Sequence, residues 1–189
     1  MKENKIFTNL SEIKKNIHLE LSFAQHDKNK REITLSTSVK NIPSSRIVIL
    51  RKFSPDYTIQ IFTDARSSKI REMKSNNFVS LLYYNKFEKI QIRMNGKVAI
   101  LKKKTSWKNF SEFSKLNYNT ILAPGSKLSN KKFQYNKDID KGLENFLVCR
   151  ITIEEIDWLK LIYPKSIRAK FFVMRNEKKA KLNGSWLVP

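Results

Sequence analysis

The stretch Thr63-Asp64-Ala65-Arg66-Ser67-Ser68-Lys69-Ile70-Arg71 packs two hydroxyls and three cations into six residues. Strand-like alternation ends at Thr63 and helical spacing begins near Ser67, so the cluster falls where a strand gives way to a helix. A helix start presents unpaired backbone N–H groups and the positive end of the helix dipole, which together favour an anion. Ser67, Ser68 and Lys69 are therefore candidates to hold a phosphate monoester through charge-assisted hydrogen bonds. The same residues have an ordinary reading as well, because a serine before a helix is commonly only its cap.

Two more stretches could carry chemistry. In Arg46-Ile47-Val48-Ile49-Leu50-Arg51, two arginines bracket a branched apolar strand. Its middle, Val48, Ile49 and Leu50, could back a flat ring while the arginines reach anionic groups; otherwise it is a core strand with solvated ends. Gln91, Arg93 and Asn95 alternate with Ile92 and Met94 and so share one strand face. Such a face can read the polar edge of a heterocycle, or simply meet solvent.

Other chemistries find no site. His18 and His26 are the only histidines, both in or near the first helix, which makes a His-rich metal site improbable. Cys149 is the sole cysteine, so neither an intrachain disulfide nor a cysteine-based metal site can form. Nucleophile-elbow, P-loop and dinucleotide-fingerprint motifs are absent in suitable contexts. Glu154 and Glu155 are adjacent on a strand, so they point to opposite faces and do not form an acid/base pair.

The elements that must position these residues follow from periodicity. Leu10, Ile13, Ile17, Leu21 and Ala24 predict an amphipathic helix within about residues 9–26, capped by Asn9 or Ser11 and packed across a sheet. Strands are expected at 33–39, 46–52, 57–63, 78–84, 89–101, 146–153, 155–161, 168–175 and 185–188, with 41–45 (NIPSS) as a loop. Residues 67–75 form a short helix closed by Asn76-Asn77, and Gly96 marks a bulge or a close backbone approach. Trp107, Phe110, Phe113 and Leu116 fit one helix face, and 120–136 reads as loop around Pro124-Gly125. The βαβ rhythm is missing, so the expected architecture is mainly β: an antiparallel barrel with flanking helices, as one domain over residues 1–189.

The 189 residues, 40% of them hydrophobic, suffice for one core. No apolar run approaches the roughly 18 residues of a membrane helix, and the opening MKENKIFTNLSEIKK lacks a signal-peptide core, which predicts a cytoplasmic protein. Lys and Arg number 38 against 17 acids, a formal net charge of +21. That suits a nucleic-acid surface or a lysine-rich compositional bias. Because the lysines are spread over the whole chain and no nucleic-acid signature accompanies them, bias with a preference for anionic ligands is the favoured reading.

In order and spacing the three stretches resemble a known family. SRIVILR, IQIFTDARSSK, NNFVSLLYY and KIQIRMNGKV, continuing through IEEIDWL to the C-terminal SWLVP, are similar to the pyridoxamine 5'-phosphate oxidase signature, over roughly residues 30–189. The likeness is to the shorter, oxidase-related branch. It implies an FMN-binding split β-barrel, homodimeric, with flavin sites at the subunit interface. By this resemblance Arg46 to Arg51, including Val48, Ile49 and Leu50, line the flavin, with Phe62 and Thr63 beside it. Ser67, Ser68 and Lys69 match the phosphate-binding element, Gln91 the glutamine that reaches the flavin, and Ser126 the serine of the partner's loop.

The departures from the family pattern are equally informative. Ser68 replaces the phosphate-pairing arginine, for which Arg66 and Arg71 are candidate substitutes. The family's tyrosine, arginine and serine for the substrate phosphate have no counterpart in NFSEFSKLNY, and Ser166-Ile167-Arg168-Ala169-Lys170 stands in place of its C-terminal Arg-x-His-x-Arg. Arg168 and Lys170 remain as candidate flavin-facing cations, Arg51 as the candidate substrate-binding cation, and Leu159 occupies the usual tryptophan position. The expected function is an FMN-dependent oxidoreductase moving hydride between a small substrate and the flavin. The alternative is a non-catalytic flavin-binding, flavin-storing or nucleic-acid-associated module on the same fold.

Overall fold

The computed structural model describes residues 6–102, 104–132, 134–177 and 179–189. Helix α1, Leu10–Ala24, begins where the Asn9 side chain accepts the Glu12 N–H, and it buries Ile13, Ile17, Leu21 and Ala24. The strands of the described residues are β1 (Glu32–Val39), β2 (Ile42–Ile49), β3 (Lys52–Ser54), β4 (Thr58–Asp64), β5 (Phe78–Asn85), β6 (Ile90–Leu101), β7 (Phe146–Lys160), β8 (Ile167–Arg175) and β9 (Ala180–Leu187). Helix α2 (Ser68–Ser75) follows β4; α3 (Lys104–Lys108), α4 (Glu112–Leu116) and α5 (Gly142–Asn145) lie between β6 and β7.

These strands form one sheet in the order β2-β1-β5-β6-β7-β4-β3, with β8 on the distal part of β7 and β9 on β8. Every pairing is antiparallel. Leu50 and Arg51 carry the chain from β2 at one edge to β3 at the other. Across this split Leu50 N–H donates to Arg31 O at 2.8 Å and Arg51 N–H to Gln60 O at 2.9 Å. The interior is filled by inward alternating residues such as Leu35, Ile61, Leu81, Ile92 and Ile151. Helix α1 closes the barrel end, held where Trp158 Nε1 donates to Asn16 Oδ1 and Phe53 N–H to Gln25 Oε1. This is a split barrel with flanking helices. Among the described residues no helix is long and apolar enough to cross a membrane.

Four local readings are corrected. Residues 41–45 are not a loop. Lys40 and Asn41, both at positive φ, make a tight hairpin turn that matches strand twist, and β2 starts at Ile42. Pro43 is tolerated because β2 is an edge strand. The 46–52 strand breaks at Leu50-Arg51, where the chain crosses the split. The two strands expected at 146–153 and 155–161 are one bulged strand, since Asn95 faces Glu155 while Gly96 faces Ile153, leaving Glu154 extra. Finally, the single helix expected around Trp107 is two short ones, because Ser111 caps a new start by accepting Ser114 N–H.

The bulge requires Gly96. A Cβ there would run into the Thr152 carbonyl and Ile153 Cα, both backbone atoms that cannot swing aside. Gly96→Ala is expected to lose at least about 2 kcal/mol, the scale of overpacking. Denaturant unfolding checks this; an unchanged midpoint would mean that the bulge relaxes freely.

Outside the barrel a second cluster forms from Trp107, Tyr118, Phe146 and Val148, joined by Phe62 and Phe110. It fixes the α3–α4 excursion against β4 and β7. Asp140 pins the same excursion by accepting from Trp107 Nε1 at 2.8 Å and Lys115 Nζ at 2.9 Å.

Candidate functional site

The site is built where β4 turns into α2. Thr63 and Ser67 are both buried, with their hydroxyl oxygens 3.4 Å apart. Ser67 stands at the cap position of α2, yet its hydroxyl makes no capping bond. It donates instead to Asp64 O at 2.8 Å. The ordinary reading of Ser67 as a side-chain cap therefore fails, and the Ser67 side chain does not cap the start of α2. Ser68 is exposed, and its hydroxyl hydrogen bonds the Glu72 carboxylate.

Lys69 turns back over this turn and donates to Thr63 Oγ1 at 3.2 Å. It has no ion pair among the described residues. Burial pushes its pKa below the ordinary lysine value, and the nearby Arg46 pushes it further. Arg46 itself is neutralised, since Nη2 lies 2.6 Å from Glu72 Oε2 and its other donors reach Thr37 and Ser44. Burial alone would raise the Glu72 pKa, but hydrogen bonds from Thr37, Arg46 and Ser68 outweigh it and hold the carboxyl below its usual range. A half-buried ammonium with no ion pair among the described residues, beside a helix start without a side-chain cap, fits a phosphate dianion.

Alternation on β2 sorts the remaining contacts. Val48 and Leu50 point into the core, so their side chains are not open to a ligand, while Ile49 and Arg51 face the other side. The Arg51 guanidinium lies 5.4 Å from the Phe62 ring centroid. Burial lowers the Arg51 pKa, and the neighbouring Tyr118 acts in the opposite sense. The Tyr118 phenol is pushed up to about 12, mainly by burial. Phe62, Thr63, Ser67, Lys69, Arg46 and Arg51 thus converge at one end of β4.

The structure does not bring the other candidates to them within one chain. Gln91 pairs with Leu159 and Leu159 with Arg168, whereas Phe62 pairs with Val148 near the opposite end of β7. At about 3.3 Å per residue the two groups lie on the order of 30 Å apart along that strand. Arg168 is committed to Asp157, donating from Nε at 3.0 Å and Nη2 at 2.7 Å; Lys170 pairs with Glu155 at 3.0 Å. Ser126 sits in the loop beyond α4 and lines a cavity of ≈ 520 Å³ with Thr120, Lys127 and Lys132. Arg66 does not replace the missing phosphate arginine, because it forks onto Asp64 and grips Thr120 O. Arg71 is exposed on α2.

Sequence reasoning missed the acids that set this electrostatic pattern: Asp64, Glu72 and Asp157. Asp64 carried a signal, since an Asp two residues before Arg66 can accept its backbone N–H, as it does at 2.8 Å. Asp157 is a buried carboxylate between Arg93 and Arg168. Burial would raise its pKa, but hydrogen bonds from Arg168 and Arg93 prevail and hold it below the ordinary value. Its stabilisation is therefore present above the unfolded carboxylate pKa, about 3.9, and is lost as pH falls through the lower folded value. Asp157→Asn is expected to cost about 1–3 kcal/mol at pH 7, discounted because both arginines are partly exposed. Chemical unfolding of both proteins at pH 7 and pH 2 checks this, with the gap closing at pH 2.

The fold is that of a split barrel, and the start of α2 is its candidate phosphate site. The family model described as "Pyridoxamine 5'-phosphate oxidase, FMN-binding domain" matches residues 10–102. A pyridoxine/pyridoxamine 5'-phosphate oxidase of Ehrlichia ruminantium is 29% identical over 136 residues, covering 70% of this chain and 69% of that protein. In structure, the chain superimposes on a pyridoxamine 5'-phosphate oxidase-related, FMN-binding protein of Nostoc punctiforme with a TM-score of 0.72 at 19% identity, covering 96% of this chain and 100% of the other. PhzG of Burkholderia lata, solved with tetrahydrophenazine-1-carboxylic acid, gives 0.68 at 15% identity, covering 100% and 97%. Over residues 10–102 the chain is similar to the FMN-binding domain of the pyridoxamine 5'-phosphate oxidase family.

Proposed function

We propose that the protein is an FMN-dependent oxidoreductase that works as a homodimer, each flavin lying between two copies of the chain. The observation that carries this reading is the unpaired Lys69 over buried Thr63 and Ser67 at an uncapped helix start. These residues hold the phosphate, and the helix N–H groups share its charge. Phe62 and the main chain of Val48, Ile49 and Leu50 form the apolar edge for the ring, with Arg51 at its margin. FMN held there would supply the redox chemistry, that of hydride transfer. No side chain here stands as a clear acid or base, so the protein's share is positioning and electrostatics. The name of the relative from Ehrlichia ruminantium supports the oxidoreductase class alone.

The dimer follows from the division of the candidate residues. Gln91, Arg168 and Lys170 are too far along the sheet from Phe62 to serve the same flavin, whereas a two-fold partner can supply them. They share an outward face with the exposed Ile47, Tyr84 and Phe172, an apolar surface suited to burial against a second copy. Ser126 is assigned to the partner's flavin by the family resemblance, as the serine of the partner subunit's loop. A small-molecule substrate and a cytoplasmic setting complete the proposal. Light scattering at micromolar concentration should give twice the chain mass with or without FMN, and the FMN-loaded protein should accept electrons from a reduced nicotinamide or a small amine donor. A stable monomer would overturn the shared site, and flavin that no donor reduces would overturn the oxidoreductase reading.

A further inference from the structure

We propose that Arg66 is a positioning residue for the flavin site of the neighbouring subunit, acting through the loop that carries Ser126. The inference rests on the dimer reading above. The guanidinium uses its whole fork: Nε donates to Asp64 Oδ1 at 3.0 Å and Nη2 to Asp64 Oδ2 at 2.7 Å. Nη1 donates to Thr120 O at 2.8 Å and Ile121 O at 3.2 Å, and Nη2 also reaches Thr120 Oγ1 at 3.2 Å. Thr120 and Ile121 are the root of the loop, where Thr120 bridges Tyr135 and Ile121 N–H donates to Gln134 O. Arg66 thus fastens the base from which Ser126 projects.

The other end of the clamp is rigid. Asp64 is buried, ends β4, and is held in the ladder opposite Phe146. Its carboxylate takes Arg66 while its carbonyl takes the Ser67 hydroxyl. One residue therefore orients the cradle of its own chain and, through Arg66, the loop that serves the other flavin. A lysine cannot reproduce this, since one ammonium cannot hold a carboxylate in a bidentate grip and span two carbonyls as well.

Each flavin site then takes its cradle from one chain and its Ser126 loop from the other, which subunit mixing tests. Arg66→Met and Lys69→Met homodimers should each bind FMN at least tenfold more weakly than the unaltered protein. A heterodimer of one Arg66→Met and one Lys69→Met chain, co-expressed with different tags, keeps one intact cradle facing one intact loop. Quenching of flavin fluorescence should show one site of unaltered affinity per heterodimer. Arg66→Lys should show the same tenfold defect with an unchanged melting temperature, and it replaces Arg66→Met in the mixture if the methionine variant does not fold. A heterodimer without a tight site places Arg66 on its own cradle and overturns the proposal, as does Arg66→Lys with unaltered affinity. A monomeric unaltered protein overturns the dimer reading itself, and is seen by light scattering before any variant is made.

Discussion

FMN is expected to bind at least tenfold more tightly than riboflavin, and Lys69→Met should remove most of that difference while leaving riboflavin binding unchanged. Riboflavin lacks the phosphate, so the comparison isolates the cradle of Thr63, Ser67 and Lys69. A hydrogen bond to a charged group contributes about 1.5–3 kcal/mol, roughly ten- to a hundredfold in affinity. The pH dependence gives an independent check. A phosphate monoester takes its second charge near pH 6, so FMN affinity should rise through that range. It should fall again on the alkaline side at a pH below the ordinary lysine value of 10.5, because burial and Arg46 make Lys69 lose its proton early. The unliganded protein behaves oppositely. Its Lys69 pKa is lower folded than unfolded, so the unfolded chain binds more protons between the two values and stability rises with pH there. Calorimetric titration of both flavins from pH 5 to 10 reads all of this, and equal affinity of the two flavins would remove the phosphate from this site.

Much of the cradle was legible in the sequence because it is local. A strand end, two hydroxyls and a lysine two residues past the second of them place themselves by the geometry of a strand-to-helix turn, and the structure puts Thr63, Ser67 and Lys69 together. What was not legible is set by long-range pairing. Whether Arg46 stays free depends on Glu72, twenty-six positions away, and nothing in either local pattern forecasts that pair. The same holds for Arg66, whose carbonyl partners lie on a loop more than fifty residues on. Local composition misled where an edge strand changed the rules. Pro43 and two serines read as loop, yet an edge strand needs neither the proline N–H nor a buried face there. The barrel class survived these errors, because it depends on the alternation of β1, β4, β5 and β6, which each bury every second residue.

Pyridoxamine 5'-phosphate is expected to be a poor substrate for the FMN-loaded protein, despite the relatives that carry its name. The family's substrate phosphate anchors have no counterparts at the matching positions of this chain, and the structure shows what stands there instead. The 104–118 excursion faces inward with Trp107, Phe110 and Tyr118. Lys115, a cation on it, is drawn to Asp140 at 2.9 Å and lies over the Trp107 ring. Arg168 is held by Asp157 and so offers little to a second anion. Arg51 remains, a cation beside the Phe62 ring whose pKa is lowered by burial and, to a lesser degree, by the nearby Arg31. One cation in place of several anchors leaves a deficit of about 4 kcal/mol, within the range for loss of a buried charged contact, or roughly a thousandfold in kcat/KM. The net charge of +21 does not repair this. It draws anions toward the surface, but such attraction is screened within about 8–10 Å at physiological salt and cannot orient a substrate over the ring. Oxygen consumption by the FMN-loaded protein measures the outcome directly. A kcat/KM above about 10⁴ M⁻¹s⁻¹, the lower bound for efficient enzymes, would mean that Arg51 and the aromatic wall of Phe62 and Tyr118 bind the substrate phosphate unaided.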